Sequence, residues 1–420
     1  MSKKRRVVVT GMGIVAPNGV GRADFTRAIF SGKSGLSWFA SPKEERPRIP
    51  RVVGRVESFD PANFLPSAVI RKTDRFVHLG LVATKLALED AKIQINSHYL
   101  ENASIILGSG QGGLIFHEQT IKNYIESNGT KKPSASSVPR ITSNAVTAYI
   151  AMEYQIKGLN QVISTACSSG VQAIGQAFRS IQFGVSDLIL TGGVEAPIGP
   201  VMLDMYGSMM VLGNPIGDDP STASRPFDKT RDGFVLSEGA AILILEDREK
   251  ALQREAPIYA EIIGFGSNCG AYHMVTPNPN GDDAALAMLA AIKDADIDLK
   301  SIDYISAHGT ATKQNDLAET NAIKNLFGDK AKTIPISGLK SMIGHSIGAA
   351  GAIEVVASCI AICEELLPPT INLNNPDSGC DLDYVANIAR KKTIRTVLKN
   401  SFGFGSNNAT LILRDARYEK

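Results

Sequence analysis

The chain has 420 residues, 44% hydrophobic and 20% charged, with 44 basic against 42 acidic side chains and a net charge of +2. This composition excludes a disordered or coiled-coil chain, and it lacks the basic excess that nucleic-acid binding shows. The length suits two or three average domains, or one large α/β unit.

In chain order, Lys3, Lys4, Arg5 and Arg6 precede an apolar stretch in the manner of a signal peptide. Thr10, Gly11 and Gly13 interrupt that stretch and Pro17-Asn18-Gly19 follows, so the segment predicts a buried strand and a turn instead. No run reaches the roughly 18 apolar residues of a membrane span, which predicts a soluble, cytoplasmic protein. Short β-branched runs predict strands at 7–10, 104–107, 187–191 and 240–245, then at 259–264, 304–306, 334–337 and 410–413. Between them the apolar spacing predicts helices at 74–91, 169–183, 282–294, 315–327 and 346–365. Strands alternating with helices indicate an α/β protein with buried sheets.

A weak internal repeat accompanies this alternation. Leu88-Glu89-Asp90-Ala91 closes a helix before the strand at Ile105, and Ile292-Lys293-Asp294-Ala295 does the same before Tyr304. Each half also carries a strand running into a turn of small residues and a long helix, at Cys167 and again before His345. The repeat predicts two similar halves, 1–255 and 256–420, with their turns facing each other. The polar loop at 213–232 reads equally as a surface excursion or as the cover of a site.

Cys167 lies in Ser164-Thr165-Ala166-Cys167-Ser168-Ser169-Gly170, between a predicted strand and a predicted helix. A helix N-terminus favours a thiolate, and a backbone N–H in the turn suits an oxyanion. Taken alone, a free cysteine is more often a packing residue. His308 and His345 shift that balance, because both fall in glycine-rich turns at predicted strand ends. A thiolate accepts an acyl group, and two neutral imidazole N–H groups stabilise an enolate. Phe404, between Gly403 and Gly405, reads equally as a mobile lid or as a turn with one buried aromatic. Gly108-Ser109-Gly110-Gln111-Gly112-Gly113 fits a dinucleotide fingerprint in form only. The region about 20 residues on predicts helix rather than a strand ending in an acid, so a nicotinamide site is rejected. The five cysteines are sparse, with no paired zinc spacing; they predict a reduced compartment and no metal site.

Together, the segments around Cys167, His308, 340–345 and Phe404, with Ser224-Arg225-Pro226-Phe227-Asp228, resemble the β-ketoacyl-[acyl-carrier-protein] synthases of the synthase I/II type. The likeness runs nearly the whole chain. It implies a thiolase fold, two βαβαβ-type halves in five α/β/α/β/α layers, and a homodimer. It implies decarboxylative condensation of an acyl thioester with malonyl-[acyl-carrier-protein], in fatty-acid elongation. By resemblance Cys167 is the acyl acceptor, and His308 and His345 promote decarboxylation. Lys340 and Glu319 support them. The N–H groups of Cys167 and Phe404, with Gly403 and Gly405 beside the latter, form the oxyanion hole and gate. Thr310 and Thr312 bind the phosphopantetheine arm. Arg71, Lys72, Lys131 and Lys132 meet the acidic acyl carrier protein, or are plain solvated charge. No cofactor beyond the carrier's phosphopantetheine is implied. Two departures stand out: Ser406 where the family often has Gly, and Gln111 where many members line the acyl pocket with an apolar side chain. Alternative readings are a ketosynthase of a type II polyketide or aryl-polyene pathway, a non-catalytic chain-length partner, and a Cys-His hydrolase.

Overall fold

A computed structural model describes residues 4–39, 52–95 and 97–418. Lys3, in the basic run at the start, lies outside them. Ten main strands form one sheet path. The first half supplies β1 (Val7–Ala16), β2 (Ser104–Gly108), β3 (Asn160–Ile163), β4 (Leu188–Glu195) and β5 (Gly239–Asp247). The second supplies β6 (Ala260–Cys269), β7 (Tyr304–Ser306), β8 (Ile336–Ser337), β9 (Thr396–Gly403) and β10 (Asn407–Arg414). The path runs β8-β7-β9-β10-β6-β1-β5-β4-β2-β3. Each half therefore has its own strands in the order first, fifth, fourth, second, third. The pairing matches as well: second with third and fourth parallel, the rest antiparallel. The two half-sheets join where Val7, Val8 and Val9 pair antiparallel with Ile262, Glu261 and Ala260.

Helices α2 (Ser169–Gln182) and α5 (Ala350–Glu364) pack together at the centre, between the half-sheets. Helix α1 (Arg75–Asp90) covers the outer face of the first half-sheet, and α3 (Asp282–Asp294) covers that of the second, with α4 (Lys313–Phe327) against α3. This is the expected five-layered thiolase arrangement. The stretch Ile347–Glu364 is apolar and long enough to cross a membrane, yet it is 89% buried inside the fold. It is the core helix that both sheets need.

β1 extends to Ala16, beyond the predicted 7–10. Its glycines serve α1: a Cβ on Gly13 would collide with the Ala83 carbonyl of that helix. The 213–232 segment is not a loose surface excursion. Arg225 and Arg231 are buried, and Arg231 Nη1 pairs with Asp377 at 2.7 Å. Arg225 Nη2 pairs with Asp232 at 2.9 Å, and Phe227 stacks on Tyr384 at 3.9 Å.

Candidate active site

Cys167 sits where β3 gives way to α2, in a turn that places Ala166 at φ 51°. A non-glycine residue there is strained, and such strain persists only where its surroundings enforce it. Here the serines enforce it. Ser169 Oγ accepts the Thr165 N–H at 2.9 Å and donates to the Ala166 carbonyl at 2.6 Å. Ser168 Oγ donates to the Thr165 carbonyl at 2.8 Å. From β9, Ser401 Oγ donates to the Cys167 carbonyl at 3.0 Å. Gly403 lies so close that a Cβ would stand 2.6 Å from the Thr165 carbonyl and 3.1 Å from the Cys167 nitrogen. The backbone N–H groups of Phe404 and of Cys167 itself favour negative charge on the sulfur.

Burial opposes the helix-stabilised thiolate expected at this turn. Cys167 is 6% exposed, and desolvation pushes its thiol up to about 12, against the opposing pull of Lys340 and the Phe404 N–H. Desolvation thus favours the neutral thiol.

His308 follows β7, the second strand of its half, and His345 follows the turn after β8, the third. Their rings lie 5.4 Å apart, edge to face. Both are buried, and desolvation, with Lys340 next, holds each well below the ordinary histidine range, so both are neutral. Lys340 Nζ donates to the His308 carbonyl at 2.6 Å and lies 3.4 Å from its Nδ1. An ammonium has no lone pair to accept with, so Nδ1 is the acceptor and the ring hydrogen stays on Nε2. Glu319, on α4, accepts the N–H of His308 at 2.8 Å and of Gly309 at 2.9 Å. It thereby fixes the backbone that carries the first imidazole.

One cavity of about 440 Å³ gathers Cys167, His308, His345, Glu319, Thr310, Thr312, Gly403 and Phe404. Thr310 and Thr312 share a hydroxyl contact of 2.9 Å. Phe404 occupies the turn of the β9–β10 hairpin, half-buried against the Tyr206 and Phe234 cluster. This is the turn with one part-buried aromatic, set on the wall of the cavity. Gly405 shapes this turn at φ 78° without lining the cavity.

Gln111 does not line this cavity; its Nε2 donates to the hydroxyl of Tyr206, which does, at 3.1 Å. Among the described residues the Gln111 Oε1 atom is buried without a partner. Arg71, Lys72, Lys131 and Lys132 are exposed and none lines the cavity.

Four polar residues escaped the sequence reading. Glu354 on α5 bonds Lys340 Nζ at 2.6 Å, and Lys399 on β9 lies 2.8 Å from its other oxygen. Asn400 Nδ2 donates to Glu319 at 3.1 Å. Glu195, at the end of β4, accepts the N–H groups of Gly110 at 2.7 Å, Gln111 at 3.1 Å and Gly348 at 3.1 Å, while burial pushes it up to about 7. The one signal available was a charged or amide residue inside an apolar run, as at Glu354 and Lys399.

The Beta-ketoacyl synthase N-terminal domain, as a family, matches residues 4–251, and the C-terminal domain matches 259–374. The chain is 42% identical over 414 residues to the 3-oxoacyl-[acyl-carrier-protein] synthase 2 of Coxiella burnetii, covering 98% of this chain and 99% of that protein. The protein of the same name from Synechocystis is 41% identical, covering 98% of each. A type II PKS ketosynthase solved in complex with its acyl-carrier protein, and bound to the hexaketide, superposes with a TM-score of 0.89 at 35% identity, over 98% of this chain and 100% of that one. A β-ketoacyl synthase from Burkholderia phymatum gives 0.90 at 31% identity, over 98% and 100%.

Proposed function

The chain belongs to the β-ketoacyl synthase family, and from that premise we infer that it elongates fatty acyl chains by decarboxylative condensation on acyl carrier protein. It is an acyltransferase. The observation that carries the reading is the shared cavity: one thiol, the Phe404 turn and two neutral imidazoles line it together.

As the Cys167 sulfur attacks the acyl thioester carbonyl, its proton passes to a neutral imidazole and leaves with the carrier thiol. Malonyl carrier then takes the emptied arm site beside Thr310 and Thr312. Its carbon–carboxylate bond breaks, CO₂ departs, and the electron pair moves onto the thioester oxygen as an enolate. The N–H groups of His308 and His345 hold that oxygen. The enolate carbon attacks the acyl carbonyl on Cys167, whose oxyanion takes the N–H groups of Cys167 and Phe404. Collapse expels the Cys167 sulfur as a thiolate, which takes one proton from solvent to restore the thiol, and gives a 3-oxoacyl carrier.

The same proposal assigns the nucleophile to the 1–255 half and the histidines to the 256–420 half. It has Arg71, Lys72, Lys131 and Lys132 meet the acidic carrier, two chains form a homodimer, and the enzyme work in the cytoplasm without a cofactor of its own. The polyketide-type structural neighbour supports a second reading, in which the same chemistry runs on specialised acyl groups.

Incubation with acyl carriers of graded length, followed by intact mass measurement, tests the assignment. Wild type gains the acyl mass on Cys167 and forms a 3-oxoacyl product with malonyl carrier. Cys167→Ala does neither. A normal product from that variant rejects the nucleophile, and acyl release without carbon–carbon bond formation favours a hydrolase. Specialised acyl groups that load Cys167 faster than every simple fatty acyl group favour the second reading.

A further inference from the structure

Strand β9 carries Lys399, Asn400 and Ser401 in succession at the middle of the second half-sheet. Each reaches a different part of the site: Glu354, Glu319 and the Cys167 carbonyl. Ser401 and Asn400 brace the nucleophile turn and Glu319, whereas Lys399 has no task in the mechanism above. Its side chain is fully buried. The ammonium stands 2.8 Å from Glu354 Oε2, off the hydrogen-bonding direction, while Lys340 holds Oε1 at 2.6 Å. It also donates to the carbonyls of Ala307, at 3.4 Å, and of Asn400. Ala307 is the residue immediately before His308.

A buried lysine is costly unless its charge is answered, and burial pulls Lys399 down while Glu354 holds it up. Lys340 and Lys399 act directly on the histidines, and the titratable groups around and behind them come from every packed element. Lys340 comes from its short helix, Glu319 from α4 with the Asp316–Arg231 pair behind it, Glu354 from α5, Lys399 from β9, Tyr304 from β7, and Cys167 with Glu195 from the first half. Of the four nearest charges, two ammoniums meet two carboxylates and the cluster is neutral. Without Lys399 it is left with a net negative charge, which favours a proton on either imidazole.

Resting on the condensation reading, we propose that Lys399 is a positioning residue for the reaction: its buried ammonium shares Glu354 with Lys340 and sets the electrostatic potential at His308 and His345. An imidazolium in their place would hand its proton to the enolate carbon and divert the malonyl unit to an acetyl carrier. Charge balance at Glu354 therefore preserves the coupling of decarboxylation to bond formation.

The test is the pH profile of condensation, with acetyl-carrier by-product measured alongside, between pH 4.5 and 9. The proteins are wild type, Lys399→Met, Glu354→Gln and the double variant. The expected order follows charge. Lys399→Met moves the acidic half-point up by one pH unit or more and raises the acetyl by-product at pH 6. Glu354→Gln moves the half-point down. The double variant, neutral again, returns to within half a unit of wild type. A folded Lys399→Met with the wild-type half-point overturns the proposal. Should that variant not fold, a Glu354→Gln half-point that fails to fall, or a double variant displaced from wild type, overturns it equally. A wild-type protein that forms no 3-oxoacyl product at any pH fails the condensation reading instead, which is a separate outcome.

Discussion

At Cys167 a helix N-terminus and a low-dielectric pocket pull in opposite directions. The helix end offers partial positive charge within its first turn, an effect typically worth about 0.3–1 kcal/mol. Burial pushes the thiol up to about 12. One pKa unit is about 1.4 kcal/mol, so desolvation is the larger effect. The alkylation rate of Cys167 by iodoacetamide is accordingly expected to rise about tenfold per pH unit from 7 to 10. A plateau near pH 8 would mean that the helix end prevails. A second residue carries a pH signature clear of the chemistry. His78 on α1 is buried, with an unpartnered Nε2 among the described residues, and desolvation lowers it to about 4. An unfolded histidine protonates below about 6.5, whereas this one stays neutral until about 4. Its contribution is present above pH 6.5 and lost as the pH falls through that window. From pH 8 to pH 5 wild type should lose about 2 kcal/mol from this group, which His78→Met would not lose. Urea titrations of both proteins at the two pH values check it; equal losses would show that His78 is protonated in the folded state.

The elements show why parts of the site were hidden in the sequence. Strand β9 escaped because Lys399-Asn400-Ser401 breaks the apolar alternation that marks a strand. In the fold those three polar residues are the connection between Glu354, Glu319 and the nucleophile turn, so the feature that hid the strand is its function. β1, by contrast, was read too short, because Gly11 and Gly13 signal a turn in isolation and a close helix contact in the fold. Ser406 was legible as an oddity, and its place in the hairpin turn gives it a role. It holds φ 57° and its Oγ donates to the His273 carbonyl at 3.0 Å. The same oxygen accepts from the amides of Tyr272 at 3.3 Å and His273 at 3.4 Å, and Gly405 donates to the Met274 carbonyl at 2.7 Å. The turn bearing Phe404 and the 270–276 segment are thus tied together at the cavity mouth. Ser406→Ala should raise hydrogen exchange at the Tyr272 and His273 amides by about tenfold, the loss of about one hydrogen bond. Unchanged exchange would mean that the hydroxyl contributes nothing to the tie.

Across the whole molecule, the repeat explains why chemistry from distant sequence meets. Cys167 follows the third strand of its half and Lys340 follows the third of the other, while Gly110 and His308 follow the two second strands. In α/β sheets such crevices lie outside the carboxyl ends of the parallel strands, and the two halves turn theirs toward each other. Motifs gave the residues and the alternation gave the class. The strand order was out of reach, because pairing between distant strands leaves no local periodicity. That order leaves β3 at the edge of the path, with Asn160 and Gln161 exposed and Leu159 beside them 40% exposed. An edge strand with unpaired backbone groups is a template for another strand, and proteins blunt or cover such edges. Here the edge runs straight into the nucleophile turn, so its coverage bears on the site as well as on solubility. A second copy applied to the same edge would satisfy both backbones by twofold symmetry, and would cover Leu159, with Met152 exposed on the neighbouring helix Ala145–Tyr154. Sedimentation of wild type should therefore give twice the chain mass of 44.8 kDa. Leu159→Asp, which places a carboxylate on each side of the twofold axis, should shift the species to a single chain and slow Cys167 acylation. A wild-type protein that sediments as one chain at micromolar concentration would refute the dimer.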